Sequence, residues 1–173
     1  MPDIDPAAVQ ATYPRLDIYG PMHKAMRLAM GEALGALGRA EAGDVPHLQR
    51  ALDQVEELLA QLRLQLRHER DFVHTAIEAK RPGASRALAE LLAEHDETAR
   101  ELRAQLQRLR RAPEPAGLQS LYRQLALFVA DNLNRMARQE SAHGAMLWTL
   151  YGDAELRLLQ ARQLAALHGA ELH

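Results

Sequence analysis

The chain has 173 residues, no cysteine and a formal net charge of −2. This length suits one domain with a substantial hydrophobic core. The lack of cysteine excludes disulfides and thiolate metal sites, and the small net charge favours neither nucleic acid nor an anionic membrane as a partner. The N-terminus has no apolar signal core, and no run of about 18 apolar residues could span a bilayer. We therefore expect a cytoplasmic protein.

Proline, glycine and capping residues divide the chain into helices. Residues 1–19 lack periodicity and are predicted to form an N-terminal strap, while 20–173 form one domain. Helices are expected at about residues 20–41, 46–80, 85–111 and 118–150, with a short one at 152–169. Because short breaks join four long helices, we predict an all-α, up-down-up-down antiparallel four-helix bundle with a short extra C-terminal helix.

Each long helix carries an apolar stripe with the period of an α-helix. These stripes predict the core. Its expected members are Met26, Met30, Leu34, Leu37, Val55, Leu58, Leu62, Leu66, Val73, Leu88, Leu92, Leu102, Leu106, Leu121, Leu125, Phe128 and Met136. Trp148 and Tyr151 are expected to pack the end of the bundle.

Polar residues interrupt all four stripes at one depth, since equal residue counts from a loop give equal heights along antiparallel helices. At or near stripe centres are His23, Glu69, His95, Gln139 and His143; at stripe edges are Gln65, Arg135 and Glu140. An ionised group cannot be buried alone, so these groups must satisfy one another or hold a cation. The pattern predicts one shared internal site.

Other histidines fall outside these stripes. His68, His74 and Glu78 are predicted on the outer or flanking side of the second helix. His74 and Glu78 are four residues apart, a spacing that can bind metal, but a solvated surface pair is the favoured interpretation. His47, His168 and His173 are expected to be exposed.

Four stretches resemble the hemerythrin-like, HHE cation-binding family. They are YGPMHKAMRLAM (19–30), LRLQLRHERDFVHTAIEAKRPG (62–83), LLAEHDE (91–97) and the segment 121–156, in which NLNRMARQE precedes LW and DAEL. The resemblance implies a four-helix bundle around a carboxylate-bridged di-iron centre. It implies one His from the first helix, an HxxxE pair from the second, one or two His from the third, and a His followed by an acidic residue from the fourth.

The ligand set implied by the resemblance is only partly present. The matching positions hold His23, Glu69, His95 and Glu140, and the positions that depart from the pattern hold Gln65, Ala99, Arg135 and Gln139. Arg135 stands where the resemblance places the fourth-helix histidine. A guanidinium is permanently charged and has no lone pair for a metal. We hypothesise that Arg135 replaces the metal as counter-ion of Glu69 and Glu140, which leaves the bundle metal-free or weakly metal-binding.

Two alternatives stay open. In the first, Arg135 swings outward, and His23, Glu69, His95 and Glu140 bind one divalent ion, iron before zinc or manganese, with His143 beyond them. A di-metal site is less favoured than this mononuclear one. In the second, the buried His and Glu residues are structural and satisfied by hydrogen bonds alone.

The functional classes follow from these alternatives. No nucleophile–base pair, phosphate loop or basic-aromatic groove indicates an enzyme, a nucleotide-binding protein or a nucleic-acid binder. The resemblance implies a cation-binding protein that responds to oxygen or redox state, and oxygen or another diatomic would bind only with a metal present. The other class is a non-catalytic helical module with a protein partner or a second copy of itself.

Overall fold

The computed structural model describes residues 15–84 and 86–170, with side chains over 15–84 and 95–166. The described chain is helical and contains no strand. Its elements are α1 (Gly20–Arg39), α2 (Val45–His68), π1 (Glu69–His74), α3 (Thr75–Lys80), α4 (Arg86–Arg111), α5 (Pro115–Arg138), π2 (Gln139–His143), α6 (Gly144–Leu150) and α7 (Asp153–Ala170). Within the described ranges, no helix combines the length and apolarity needed to cross a membrane.

Local sequence signals explain where the helices begin and end. Asp44 caps α2 by accepting a hydrogen bond from the His47 amide at 3.0 Å. Gly83 has a φ of +84° in the turn after α3, a conformation that glycine adopts without strain. The α5 helix begins at Pro115, three residues before the predicted start, because proline suits the first helical turn, where its missing N–H is not needed.

The long helices surround the core in a ring. Contacts join α1 to α2, α2 to α4, α4 to α5, and α5 back to α1. The core prediction is confirmed for the residues it named, with three exceptions: Leu34 is only partly buried, and the side chains of Leu88 and Leu92 lie outside the described residues.

A second apolar cluster closes one end of the bundle, and its buried members are Tyr19, Val73, Ile77, Leu147 and Leu156. Tyr151 packs against it, as predicted, whereas Trp148 lies at its edge and is 38% exposed. The Tyr151 hydroxyl donates to the Ala76 carbonyl at 2.6 Å, and the Trp148 indole donates to the Leu16 carbonyl at 2.9 Å. These bonds tie the segment before α1 and the start of α7 to the end of the bundle.

Candidate functional site

The helix that contains Glu69 changes its hydrogen-bond pattern at the level of the polar residues. In a π-helix each N–H bonds five residues back, so residues five apart lie one turn apart on the same face. Glu69 and His74 are the first and last residues of π1, and both are buried. An unbroken α-helix would instead separate them by about 140°. The prediction that His74 lies on the outer or flanking side, in a solvated surface pair with Glu78, is wrong because His74 is buried. Glu78 is partly exposed and accepts a hydrogen bond from the Gly83 amide at 2.7 Å.

The Arg135 side chain points into the bundle and is only 8% exposed. Its guanidinium donates to Glu69 Oε2 at 3.3 Å, to Gln65 Oε1 at 3.3 Å and to Asn132 Oδ1 at 3.0 Å. The amide of Gln139, at the start of π2, donates a further hydrogen bond to Glu69 Oε2. Arg135 therefore forms a buried ion pair with one of the two carboxylates that the sequence assigned to it.

The second oxygen of Glu69 lies near two imidazoles. Oε1 is 3.7 Å from His74 Nε2 and 3.8 Å from His143 Nδ1. Both distances exceed a hydrogen bond, and none of these three buried atoms has a hydrogen-bond partner among the described residues. Burial alone would raise the pKa of Glu69, but His143, His74 and Arg135 together lower that pKa to about 2. Glu69 is therefore a buried carboxylate in its ionised form.

A directed chain of hydrogen bonds leads from Arg135 to His23. Because Arg135 can only donate, Gln65 must present its carbonyl oxygen to the guanidinium. The Gln65 amide nitrogen then donates to His23 Nε2 at 3.2 Å, and His23 Nδ1 donates to Glu140 Oε1 at 2.9 Å. Burial lowers the pKa of His23 more than Glu140 raises it. The network thus assigns a neutral His23 with its proton on Nδ1.

The counter-ion of Glu140 is Arg27, a residue that the sequence interpretation missed. The two guanidinium nitrogens of Arg27 bind Oε1 at 2.8 Å and Oε2 at 2.9 Å. This fork, followed by the bond from His23, lowers the pKa of Glu140. The hypothesis that Arg135 neutralises both carboxylates is corrected here, because Glu140 pairs with Arg27. The sequence did contain a signal for this contact. Arg27 lies four residues after His23, so both side chains project from the same face of the helix.

His95 lies beside Asn132 and Arg135 of this network but is not joined to the other ligand candidates. Its ring packs on Phe128 with centroids 5.0 Å apart, and burial, followed by the charge of Arg135, lowers its pKa. Within the described side chains no hydrogen bond or ion pair joins His95 to Glu69. Ala99, one turn later, is buried in the core. Of the four ligand candidates, His23 and Glu140 are bonded to each other, Glu69 belongs to the Arg135 pair, and His95 is separate.

The family model of the hemerythrin HHE cation binding domain matches residues 16–144. This chain belongs to that family. The match runs from before α1 to the start of α6 and includes every site residue described above. Searches of curated proteins and of solved structures give no match. The family prediction and the all-helical fold are confirmed, and hemerythrin-like membership suggests a metal-binding helical protein.

The residues of this hemerythrin-like chain fit a cation poorly. Arg135 points N–H donors at the carboxylate of Glu69, and a divalent ion about 5 Å from a guanidinium would be repelled in a weakly polar interior. His23 Nε2 already accepts a hydrogen bond from Gln65. Over the described part of the chain, no three His, Cys, Asp or Glu side chains form a group that could hold a metal ion.

Proposed function

We propose that this chain is a non-enzymatic hemerythrin-like module, with an up-down-up-down bundle, in which Arg135 replaces the bound cations as internal counter-ion. The observation that carries this proposal is the inward guanidinium with its hydrogen bonds to Glu69, Gln65 and Asn132. The ring of contacts among the four long helices supports the bundle topology.

Charge balance supports a metal-free site. The network contains two carboxylates, Glu69 and Glu140, and two guanidiniums, Arg135 and Arg27, around a neutral His23. Its net charge is therefore zero. A divalent ion added to this interior would have no compensating negative charge, and uncompensated burial of charge is strongly unfavourable.

If no cation is bound, the feature of the chain that supports a role in interaction or regulation is its exposed apolar surface. The α7 helix exposes Leu158 and Leu164, which are 62% and 47% accessible. They lie about 120° apart around the helix, so they offer two separate apolar contacts, and not one continuous surface, to a protein partner or to a second copy of the chain. A cytoplasmic location remains a prediction from the sequence.

One observation favours the competing function, a divalent-cation protein that senses oxygen or redox state. Glu69 Oε1, His74 Nε2 and His143 Nδ1 are buried near one another without hydrogen-bond partners in the described structure. Carboxylate and imidazole are ligands that suit iron, zinc or manganese. These three side chains would have to rearrange to bind an ion, because in the described structure they do not form a group that could hold one.

Elemental analysis of purified protein, after incubation with ferrous iron under anaerobic conditions and desalting, separates the two functions. We expect the parent chain to retain far less than one metal ion per chain. The double variant Arg135→His, Gln65→His should gain iron, whereas Gln65→His alone should not, because it keeps the repelling guanidinium. Stoichiometric metal in the parent, lost in His74→Ala, would overturn the metal-free proposal and establish the cation site that the competing function requires.

A matched control uses the same chemistry on the same two helices. Gln54 and Arg138 are exposed, so Gln54→His, Arg138→His adds two imidazoles outside the interior. Iron retained equally by this control and by the interior double variant would mean that surface histidines, and not a restored site, account for the binding.

A further inference from the structure

A cavity of about 440 Å³ lies between α1, α2 and α7, and its lining includes His23, Gln65 and Glu69 of the polar site. This volume falls within the usual range of small-molecule pockets. Met22, Met26 and Leu64 provide much of the apolar wall. Methionine side chains adapt to irregular ligand shapes, so this wall suits an apolar molecular body.

The charges around the cavity argue against an ionic ligand. Among the described lining residues, Glu69 is the one with a formal charge, and Arg135 already neutralises it. The other polar groups are neutral, such as the side-chain amides of Gln160 and Gln163. An ion that entered would lose its hydration without gaining a counter-ion, which is costly. The cavity therefore selects for uncharged molecules.

Tyr19 lines the cavity with its ring, while its hydroxyl oxygen is buried and has no hydrogen-bond partner among the described residues. The hydrogen-bonding groups of the lining that a ligand can reach on α7 are the half-buried side-chain amides of Gln160 and Gln163. Each amide offers both a donor and an acceptor, so a neutral polar group on a ligand can bind there.

The α7 helix covers the cavity with little of its own surface buried. Among its described side chains only Leu156 is buried, near the start of the helix, while Gln160, Gln163 and Leu164 lie against the cavity further along. A helix with few buried apolar contacts opens at low free energy. It can therefore move to admit a ligand while Leu156 holds its first turn.

We propose that this cavity binds an uncharged small molecule that has an apolar body and a hydrogen-bonding group for the amides of Gln160 and Gln163, with α7 as its cover. This goes beyond the proposed function and does not depend on it. Failure of the dye experiment below would leave the metal-free proposal intact, and metal found by elemental analysis would leave the cavity proposal intact.

The probe is prodan, an uncharged naphthalene dye with a ketone acceptor, whose emission shifts to the blue in an apolar site. Titration of the full chain should give saturable binding of one dye per chain. An elongated anionic dye, 2-anilinonaphthalene-6-sulfonate, should bind at least about tenfold more weakly, because transfer of a charge to an apolar site is costly. No saturable prodan signal, or equal affinity for the two dyes, would overturn the proposal.

Variants locate the dye. Leu64→Trp fills the cavity and should abolish binding, and Gln163→Trp on α7 provides a second filling variant if the first does not fold. The control Leu127→Trp adds the same ring at a side chain that is 68% exposed and outside the cavity, so affinity should not change. The double variant Gln160→Leu, Gln163→Leu should weaken binding about twofold to tenfold, the usual range for one hydrogen bond. Equal loss in the filling and control variants, or no effect of this double variant, would refute the assignment.

Discussion

Arg135→Met tests whether the guanidinium holds the interior together. The substitution keeps an apolar stem of similar length but removes the charge. Glu69 then retains the Gln139 amide as its described hydrogen-bond donor, while Gln65 Oε1 and Asn132 Oδ1 each lose a donor. The variant therefore leaves a buried carboxylate without its counter-ion and two amide oxygens without their partner.

The expected loss of stability is large. The pKa of Glu69 falls from 4.5 to about 2, which corresponds to about 3 kcal/mol for all its partners together, Arg135 being one of them. Each unsatisfied buried amide adds about 1–3 kcal/mol. For two amides and the share of Arg135, these contributions span about 2–9 kcal/mol, a range that includes the roughly 3–5 kcal/mol usual when one partner of a buried ion pair is removed. We take about 3–5 kcal/mol as the expected loss. For a chain of this size, that loss lowers Tm by about 6–20 °C.

Urea unfolding followed by circular dichroism at pH 7 measures this loss. The exposed Arg138→Met on the same helix is the control and should stay within about 0.5 kcal/mol of the parent. Adding Glu69→Gln to Arg135→Met should restore at least about half of the lost free energy, because the two charges interact directly. A loss below about 1 kcal/mol, or a double variant less stable than Arg135→Met, would refute the counter-ion role.

Three further predictions follow from the same contacts. Because the folded pKa of Glu69 is about 2 and its ordinary value is 4.5, its stabilising effect is complete above about pH 4.5 and is lost as pH falls towards 2. Glu69→Gln should thus flatten the dependence of the urea midpoint on pH in that window. Because the folded pKa of His23 is lowered, its protonation should reduce the free energy of unfolding of the protein as pH falls below 6.5. At pH 7, ¹⁵N NMR of the His23 imidazole should detect the neutral form protonated on Nδ1. Protonation on Nε2 would contradict the hydrogen-bond chain. Leu156→Ala should cost about 2–5 kcal/mol in urea unfolding, whereas the exposed Leu158→Ala should change stability by less than about 0.5 kcal/mol, and equal effects would disprove the anchoring of α7.

The helices were predictable from sequence because their apolar stripes are long and regular. Periodicity fixes which face of a long helix is buried, and it placed Met30, Leu62 and Leu125 in the core. Helix ends depend on local turn chemistry instead. The prediction treated Pro115 as part of a break between helices and therefore started α5 too late, although proline is favourable in the first turn of a helix.

The polar site was predictable in position but not in pairing. Equal depth in the bundle correctly brought Glu69 and Arg135 together. The partner of Glu140 depended on the reach of the long Arg27 side chain, which a stripe analysis assigns to the surface. His74 was misplaced for a different reason. In the π-helical segment each residue turns by less than 100° about the helix axis, so a fixed step of 100° per residue put His74 on the wrong face.

Gln65 and Arg135 depend on each other in the proposed metal-free site. Gln65 accepts a hydrogen bond from Arg135 through its oxygen and donates one to His23 through its nitrogen, so a single amide satisfies both neighbours. An apolar residue at 65 would leave the guanidinium short of an acceptor and His23 Nε2 without a donor. An apolar residue at 135 would instead leave Gln65 Oε1 without its donor and Glu69 without its counter-ion. We therefore expect an apolar replacement at either position to destabilise the interior, because each side chain satisfies a buried group of the other.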